Sequence, residues 1–163
     1  MIRDAVEADL PAIVEIYNST ISCQIVTADL EPVSVESRLT WFRSHTPARR
    51  PLWVMQCKDD IAGWLGFQSF YSGRRAYETT AEVSIYVSSK YRRQGVGRQL
   101  LQCAIECSPA LRIKTLVGFI FATNTASLTL FANFGFDRWG YLPEVAEFEQ
   151  GTGDLVIVGR RLT

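Results

Sequence analysis

The apolar and polar positions near the N-terminus predict a short strand at residues 2–5 followed by a helix. Asp9 supplies an N-cap oxygen, Pro11 lies in the first turn, and the apolar residues that follow recur at the spacing of one helix face. These apolar residues are Leu10, Ile13, Val14 and Tyr17. The pattern therefore predicts a first helix with one buried face.

A second helix is predicted from Ser34, a capping residue, to His45. Apolar side chains fall on one face of this segment and charged side chains on the other. The apolar residues are Val35, Leu39 and Phe42, and the charged residues, which we expect to face solvent, are Glu36, Arg38 and Arg43.

The rest of the chain alternates between apolar runs of strand length and segments with helical periodicity. The predicted strands are 52–58, 61–70, 81–87, 116–121 and 154–161, and the predicted helices are 95–107 and 124–134. The first two of these strands flank Asp59 and Asp60 and are predicted to form a hairpin. Strands that first run as a hairpin and then alternate with helices predict an α/β fold, a mixed sheet with helices on its faces.

The length of 163 residues and the hydrophobic content of 47% are those of one globular domain, spanning 1–163. Seventeen basic and seventeen acidic residues give no net charge, so we expect neither a nucleic acid nor a membrane surface as partner. Acidic residues near the N-terminus and the lack of a long apolar run argue against a secretory signal or a membrane span. We therefore expect a cytoplasmic protein.

The four cysteines include no CxxC pair, and His45 is the only histidine, so no metal site is predicted from the usual ligand spacings. Cys103 and Cys107 are one helical turn apart. They are interpreted either as a redox pair or as buried free thiols that pack as small hydrophobic groups.

An anion site is predicted where the strand at 81–87 gives way to a turn and a helix. The first amide N–H groups of a helix lack carbonyl partners, and Gly95 and Gly97 allow an anion to approach the backbone because a Cβ would obstruct it. The segment between Ser88 and Ile105 contains no acidic residue and four cations, Lys90, Arg92, Arg93 and Arg98. Position 100 is leucine, so the dinucleotide motif GxGxxG is absent. A solvated basic turn is the alternative interpretation.

The stretch Arg92 to Gly97 resembles the R/Q-x-x-G-x-G/A signature of the GCN5-related N-acetyltransferases (GNAT superfamily). Within that superfamily the chain is most similar to the phosphinothricin and methionine sulfone acetyltransferase group. The matching motifs, spread over nearly the whole chain, are IYN at 16–18, WF at 41–42, RRAY at 74–77, TAEVSIYV at 80–87, NTASL at 124–128 and GF at 135–136.

The resemblance implies the GNAT fold, a mixed and mostly antiparallel sheet with about four helices, together with acetyl-CoA as co-substrate, no metal and a homodimer. It also implies that strand residues bind the pantetheine arm, that turn residues hold the pyrophosphate, and that Asn124 and Ser127 complete the cofactor site. The strand residues are Ile85, Tyr86 and Val87, and the turn residues are Arg93, Gln94, Gly95, Val96, Gly97 and Arg98. Asn124 is alternatively a plain helix N-cap.

Amine acetylation requires a base, because an ammonium must lose a proton before it can attack a thioester. Glu82 interrupts an otherwise largely apolar strand, where a carboxylate is costly unless it is hydrated or partnered. The resembling group has a glutamate here as the candidate base. Alternatively, Glu82 is a structural partner of Arg74 or Arg75.

The chain departs from the group at three places. Phe131 stands where related enzymes have a tyrosine or histidine that can protonate the leaving thiolate, and Tyr91, Tyr77 or Tyr141 could take that role. Ser72 and Glu78 stand where arginines surround the substrate, and 148–153 has lost the pattern K-F-G-R-W-L. A thiolate leaves without a proton donor because the thiol pKa is only about 8.5.

The resemblance implies substrate-binding residues at Ser72, Arg74, Tyr77, Thr80 and Ser84. The predicted function is transfer of acetyl from acetyl-CoA to the primary amine of a small amino-acid-like molecule of the phosphinothricin, methionine sulfone or sulfoximine type. One alternative is a peptide, protein N-terminus or polyamine as acceptor, which the acidic residues in 144–154 would suit. The other is a CoA-binding sensor without catalysis.

Overall fold

A computed structural model describes residues 1–163 and contains one seven-stranded sheet. The strands are β1 (Ile2–Asp4), β2 (Leu52–Cys57), β3 (Asp60–Ser69), β4 (Thr80–Val87), β5 (Thr115–Phe121), β6 (Asp137–Phe148) and β7 (Gly151–Arg161). Their order across the sheet is β1-β2-β3-β4-β5-β7-β6, and only the β4–β5 pair is parallel. The predicted fold class, a mixed and mostly antiparallel sheet, is confirmed.

Four α-helices cover the two faces of the sheet. They are α1 (Leu10–Asn18), α2 (Val35–Arg43), α3 (Val96–Cys107) and α4 (Thr125–Asn133). Because side chains alternate along a strand, β3 sends Trp64 into the core formed with α1 and α2 and sends Leu65 and Phe67 into the core formed with α3 and α4. None of the helices combines the length and the apolar content that a membrane span requires.

The parallel pair in the centre of the sheet is short. β4 pairs with β5 only between Thr80–Glu82 and Thr115–Val117, although β4 continues to Val87 and β5 to Phe121. Beyond Glu82 the two strands part, and the β5-facing edge of β4 has no strand beside it. The sheet therefore contains a cleft that opens toward the N-termini of α3 and α4.

The structure corrects two local predictions. Strand β6 was not predicted, because Gly140 and Pro143 interrupt its apolar run and it is an edge strand with two irregularities in register. Asp9 does not cap α1 with its side chain: its carboxylate accepts hydrogen bonds from the Val6 amide and, in a salt bridge of 2.7 Å, from Arg3. Ser34 does cap α2, as predicted, by accepting a hydrogen bond from the Ser37 amide.

Candidate active site

A cavity of about 200 Å³ lies between helices α1 and α2 and the sheet. Its floor consists of three cross-strand pairs of β3 and β4 residues whose side chains share one face: Trp64 and Tyr86, Gly66 and Ser84, and Gln68 and Glu82. Glycine at position 66 leaves the middle of this floor without a side chain. We call this space the acceptor cavity.

Glu82 lines the acceptor cavity and forms no salt bridge or side-chain hydrogen bond. Burial alone raises the pKa of its carboxyl group above the ordinary value. The alternative of a structural pair is not observed: Arg74 lies over the Tyr71 ring at 5.5 Å, and Arg75 lines a separate polar cleft. The carboxylate is therefore free to take a proton from a bound molecule.

Aromatic side chains surround one end of the acceptor cavity, where Trp64 and Tyr86 form the floor. The Trp64 and Tyr86 rings are stacked with centroids 4.5 Å apart, and Tyr17 and Trp41 pack against them at 5.2 and 5.5 Å. Burial raises the pKa of the Tyr86 hydroxyl, which therefore stays protonated at neutral pH. The resemblance assigns backbone groups of Tyr86 to the cofactor, and the ring of the same residue lines the acceptor cavity.

Arg38 of α2 also lines the acceptor cavity, and its predicted solvent-facing position is wrong. Its side chain is 25% exposed, its guanidinium lies 4.8 Å from the Tyr17 ring centroid and 5.4 Å from that of Trp41, and it pairs with Asp29 at 3.3 Å. The sequence pattern does not reveal that Arg38 lines the cavity, because helical periodicity groups it with the charged residues Glu36 and Arg43. The aromatic residues that draw the guanidinium inward lie on other parts of the chain.

The cleft between β4 and β5 brings together several residues that the sequence assigned to the cofactor. Ile85, Tyr86, Asn124 and Ser127 line this cofactor cleft, as does Phe131. Asn124 also caps α4, because its Oδ1 accepts a hydrogen bond from the Ser127 amide at 3.2 Å. Asn124 can therefore cap α4 and contact the cofactor from the same position.

The predicted anion cradle lies at the N-terminus of α3. Gly95 precedes the helix with φ of 79°, in the left-handed region, and Arg93 has φ of 59°. The cations are not equivalent: Lys90 pairs with Asp60 in a salt bridge, whereas Arg92, Arg93 and Arg98 form none. Gln94 lies in the turn, and Val96, the first residue of α3, is buried in the core.

The packing around Gly97 explains why this position has no side chain. A Cβ at this position would lie 3.3 Å from Leu130 Cδ2 and 3.7 Å from Val87 Cγ2, which are protein atoms. The close packing accounts for glycine here without an anion, and the role of Gly97 in the anion site stays a prediction. Gly97 lets α3 pack closely on α4 and β4.

Four of the five predicted substrate residues lie outside the acceptor cavity. Ser84 lines it, whereas Thr80 begins β4, and Ser72, Arg74 and Tyr77 lie in the exposed segment between β3 and β4. Tyr77 packs in an aromatic cluster with Phe70 and Tyr71.

None of the tyrosines considered from the sequence replaces Phe131 beside the cofactor cleft. Phe131 is buried and packs edge-on against Phe136, and none of the three tyrosines considered from sequence lines the cleft. Tyr91 donates its hydroxyl to Asp60, and Tyr141 donates to Asp154.

Cys103 and Cys107 both lie on α3, one helical turn apart. The Cys103 and Cys107 sulfur atoms are 3.8 Å apart, and all four cysteines are free. Burial first, and then the neighbouring Cys107, raise the pKa of Cys103 to about 11, so its reactive thiolate form is scarce at neutral pH. No cluster of three metal-binding side chains is present.

The splayed strands and the left-handed glycine before α3 fit acetyl-CoA, since they leave strand edges and helix amides open to a long, anionic cofactor. Residues 11–136 match the acetyltransferase (GNAT) family, and the chain belongs to that family. It is an acetyl-CoA-dependent N-acetyltransferase.

Individual relatives indicate which acetyltransferases of this family the chain is similar to. The chain is 48% identical over 163 residues, 99% of each chain, to the Bacillus subtilis (strain 168) protein named "Putative phosphinothricin acetyltransferase YwnH". It is 34% identical, over 90% of this chain and 85% of the relative, to the L-methionine sulfoximine/L-methionine sulfone acetyltransferase of Pseudomonas aeruginosa PAO1. A crystal structure of a phosphinothricin acetyltransferase from Sinorhizobium meliloti in complex with acetyl-CoA is similar with a TM-score of 0.92 at 27% identity, covering 99% of this chain and 88% of that chain.

Proposed function

We propose that this enzyme transfers the acetyl group of acetyl-CoA to the primary amine of a small amino-acid-like acceptor, with Glu82 as the base. The observation that carries the proposal is that the acceptor cavity and the cofactor cleft share Ser84 and Tyr86. An amine held beside Glu82 and a thioester held in the cleft would therefore border the same two residues. Relatives named for phosphinothricin and methionine sulfone support this class of acceptor.

In the proposed mechanism, Glu82 accepts a proton from the acceptor's ammonium, directly or through a water, and the free amine attacks the thioester carbon. The raised pKa of Glu82 brings its basicity closer to neutral pH, which suits a general base. The α3 amides following Gly95 hold the pyrophosphate, and Asn124 and Ser127 contact the pantetheine arm. The second proton leaves the attacking nitrogen for water or for the departing sulfur, so the CoA thiolate leaves without a protein donor, in keeping with phenylalanine at position 131.

The acceptor is proposed to carry a carboxylate, which Arg38 holds. A guanidinium forms strong charge-assisted hydrogen bonds with carboxylates, and Arg38 lines the cavity together with Glu82. Peptides and polyamines are less favoured, because the acidic residues of 144–154 lie on the β6–β7 hairpin and none of them lines the cavity.

We further propose that the whole of 1–163 acts as one acetyltransferase domain and that two copies form a homodimer in the cytoplasm. The sheet spans Ile2 to Arg161, which supports a single domain. Exposed apolar side chains on the edge strand β6 support association: Trp139, Tyr141, Leu142 and Val145. Four free cysteines are usual for a reducing compartment.

A panel of amines tests the proposal by the release of CoA thiol from acetyl-CoA. We expect turnover with L-methionine sulfone, L-methionine sulfoximine or phosphinothricin and none with spermidine or an alanine-terminated peptide. Turnover only with the peptide or spermidine would assign the enzyme to the alternative acceptor class. Tight CoA binding without any turnover would indicate a sensor.

A further inference from the structure

A polar cleft lies between the turn that follows α2 and the segment that joins β3 to β4. Its volume is about 570 Å³, and no apolar side chain lines it. It shares no lining residue with the acceptor cavity or with the cofactor cleft, so it is a separate space. We call it the arginine cleft, because three arginines line it: Arg49, Arg50 and Arg75.

The arginine cleft has an excess of positive charge. Its three guanidinium groups share the cleft with one carboxylate, that of Glu78, which pairs with Arg49 at 2.9 Å. Neither Arg50 nor Arg75 forms a salt bridge. Two of the three positive charges therefore have no acidic partner.

Arg50 is a buried cation. The residue is only 9% exposed, and its guanidinium donates hydrogen bonds to the backbone carbonyl oxygens of Arg49, Glu78 and Thr80. Its Nε is buried without a hydrogen-bond partner. Burial first, and then the neighbouring Arg49, lower the pKa of Arg50, so the protein alone compensates this charge poorly. Because a buried charge without a counter-charge is costly, an anion in the cleft would offset that cost.

The groups that line the arginine cleft fit a small oxyanion. Guanidinium groups form strong charge-assisted hydrogen bonds with phosphate and carboxylate oxygens. The hydroxyl groups of Thr46 and Ser69 also line the cleft and can donate to the same anion. Two uncompensated positive charges match a dianion, and the lining offers no apolar side chain to an organic tail.

We propose that the arginine cleft binds a phosphate-type dianion, either free or as the phosphate group of a small metabolite. Gln68 lines the acceptor cavity and the next residue, Ser69, lines the arginine cleft, so the two sites are neighbours. The anion site concerns binding alone. It stands whether or not Glu82 is the base of the acetyl transfer.

Calorimetric titration of the full chain with inorganic phosphate tests the proposal, with the protein saturated with CoA so that the turn before α3 is occupied. We expect saturable binding of phosphate and much weaker binding of acetate, a monoanion. Glycerol 3-phosphate distinguishes the sources: tighter binding than phosphate indicates a phosphorylated metabolite, and equal binding indicates free phosphate. No saturation at millimolar phosphate, or acetate binding as tightly as phosphate, would overturn the proposal.

Three variants locate the bound anion. Arg75→Gln removes a guanidinium without a salt-bridge partner and should weaken phosphate binding by about tenfold or more. Glu78→Gln removes the only carboxylate of the cleft and should tighten phosphate binding by about twofold to fivefold.

Arg74→Gln is the matched control. It makes the same charge change one residue away, but Arg74 lies over the Tyr71 ring and does not line the cleft. We expect Arg74→Gln to bind phosphate like the wild type. An equal loss of affinity in Arg74→Gln and Arg75→Gln, or weaker binding in Glu78→Gln, would show that phosphate responds only to the general surface charge and would overturn the site.

Discussion

Arg38 and Glu82 line the same cavity and form no salt bridge with each other: Arg38 pairs with Asp29 at 3.3 Å, and Glu82 has no charged partner. Two opposite charges kept apart in one cavity suit a zwitterion, whose carboxylate faces the guanidinium and whose ammonium faces the carboxylate. This arrangement explains why an amino-acid-like acceptor fits better than a polyamine, which has no group for Arg38.

Replacing Arg38 by Met should weaken binding of carboxylate-bearing acceptors. The methionine keeps the apolar contact with Tyr17 and Trp41 but removes the charge. Loss of a charge-assisted hydrogen bond should raise KM for L-methionine sulfone by about tenfold or more, while KM for acetyl-CoA does not change. The amide of the same amino acid is the matched control: an equal rise in its KM would show that Arg38 does not hold the carboxylate.

Replacing Glu82 by Gln should not lower the melting temperature at pH 7. The pKa of Glu82 is raised in the folded protein, so its contribution to stability is fully present at low pH and is lost as the pH rises through the folded pKa. At neutral pH the buried carboxylate is therefore a cost, and the neutral amide removes it. A melting temperature several degrees below that of the wild type would restore the structural interpretation.

Gly97→Val should destabilise the fold rather than act on the cofactor alone. The new side chain would be forced against Leu130 and Val87, and overpacking of this kind costs about 1–3 kcal/mol. We expect the melting temperature without ligand to fall by several degrees, as measured by calorimetry. A variant that melts like the wild type but binds acetyl-CoA poorly would support the anion-space explanation after all.

Acetyl-CoA should stabilise the protein against heat, because a ligand of the native state adds about 2.7 kcal/mol at a hundredfold excess over Kd. We expect a rise of several degrees in the melting temperature. ATP and NAD serve as controls, because they carry adenosine and a pyrophosphate linkage but no pantetheine arm. A shift as large with either of them as with acetyl-CoA would mean that the pantetheine cleft contributes no binding energy.

The sequence predicted every helix and most strands, because those elements carry strong periodicity and clear caps such as Ser34. It did not predict β6, whose Gly140 and Pro143 hide an edge strand. Glu82 and the turn before α3 could be selected as candidate site residues from the sequence, because in each case the signal comes from adjacent residues. Arg38 could not be found this way, because what turns it toward the cavity is contact with a distant residue, Tyr17.

The central claim is that Glu82 is the base, and the pH dependence of kcat/KM tests it most directly. With L-methionine sulfone, the wild-type profile should fall on the acid side with a pKa above the ordinary glutamate value, because burial raises that of Glu82. Glu82→Gln should lose about a hundredfold to ten thousandfold at pH 7, and the loss should shrink as the pH rises and more amine arrives deprotonated. A Glu82→Gln enzyme with wild-type kcat/KM at pH 7, or one whose loss is the same at every pH, would contradict the account.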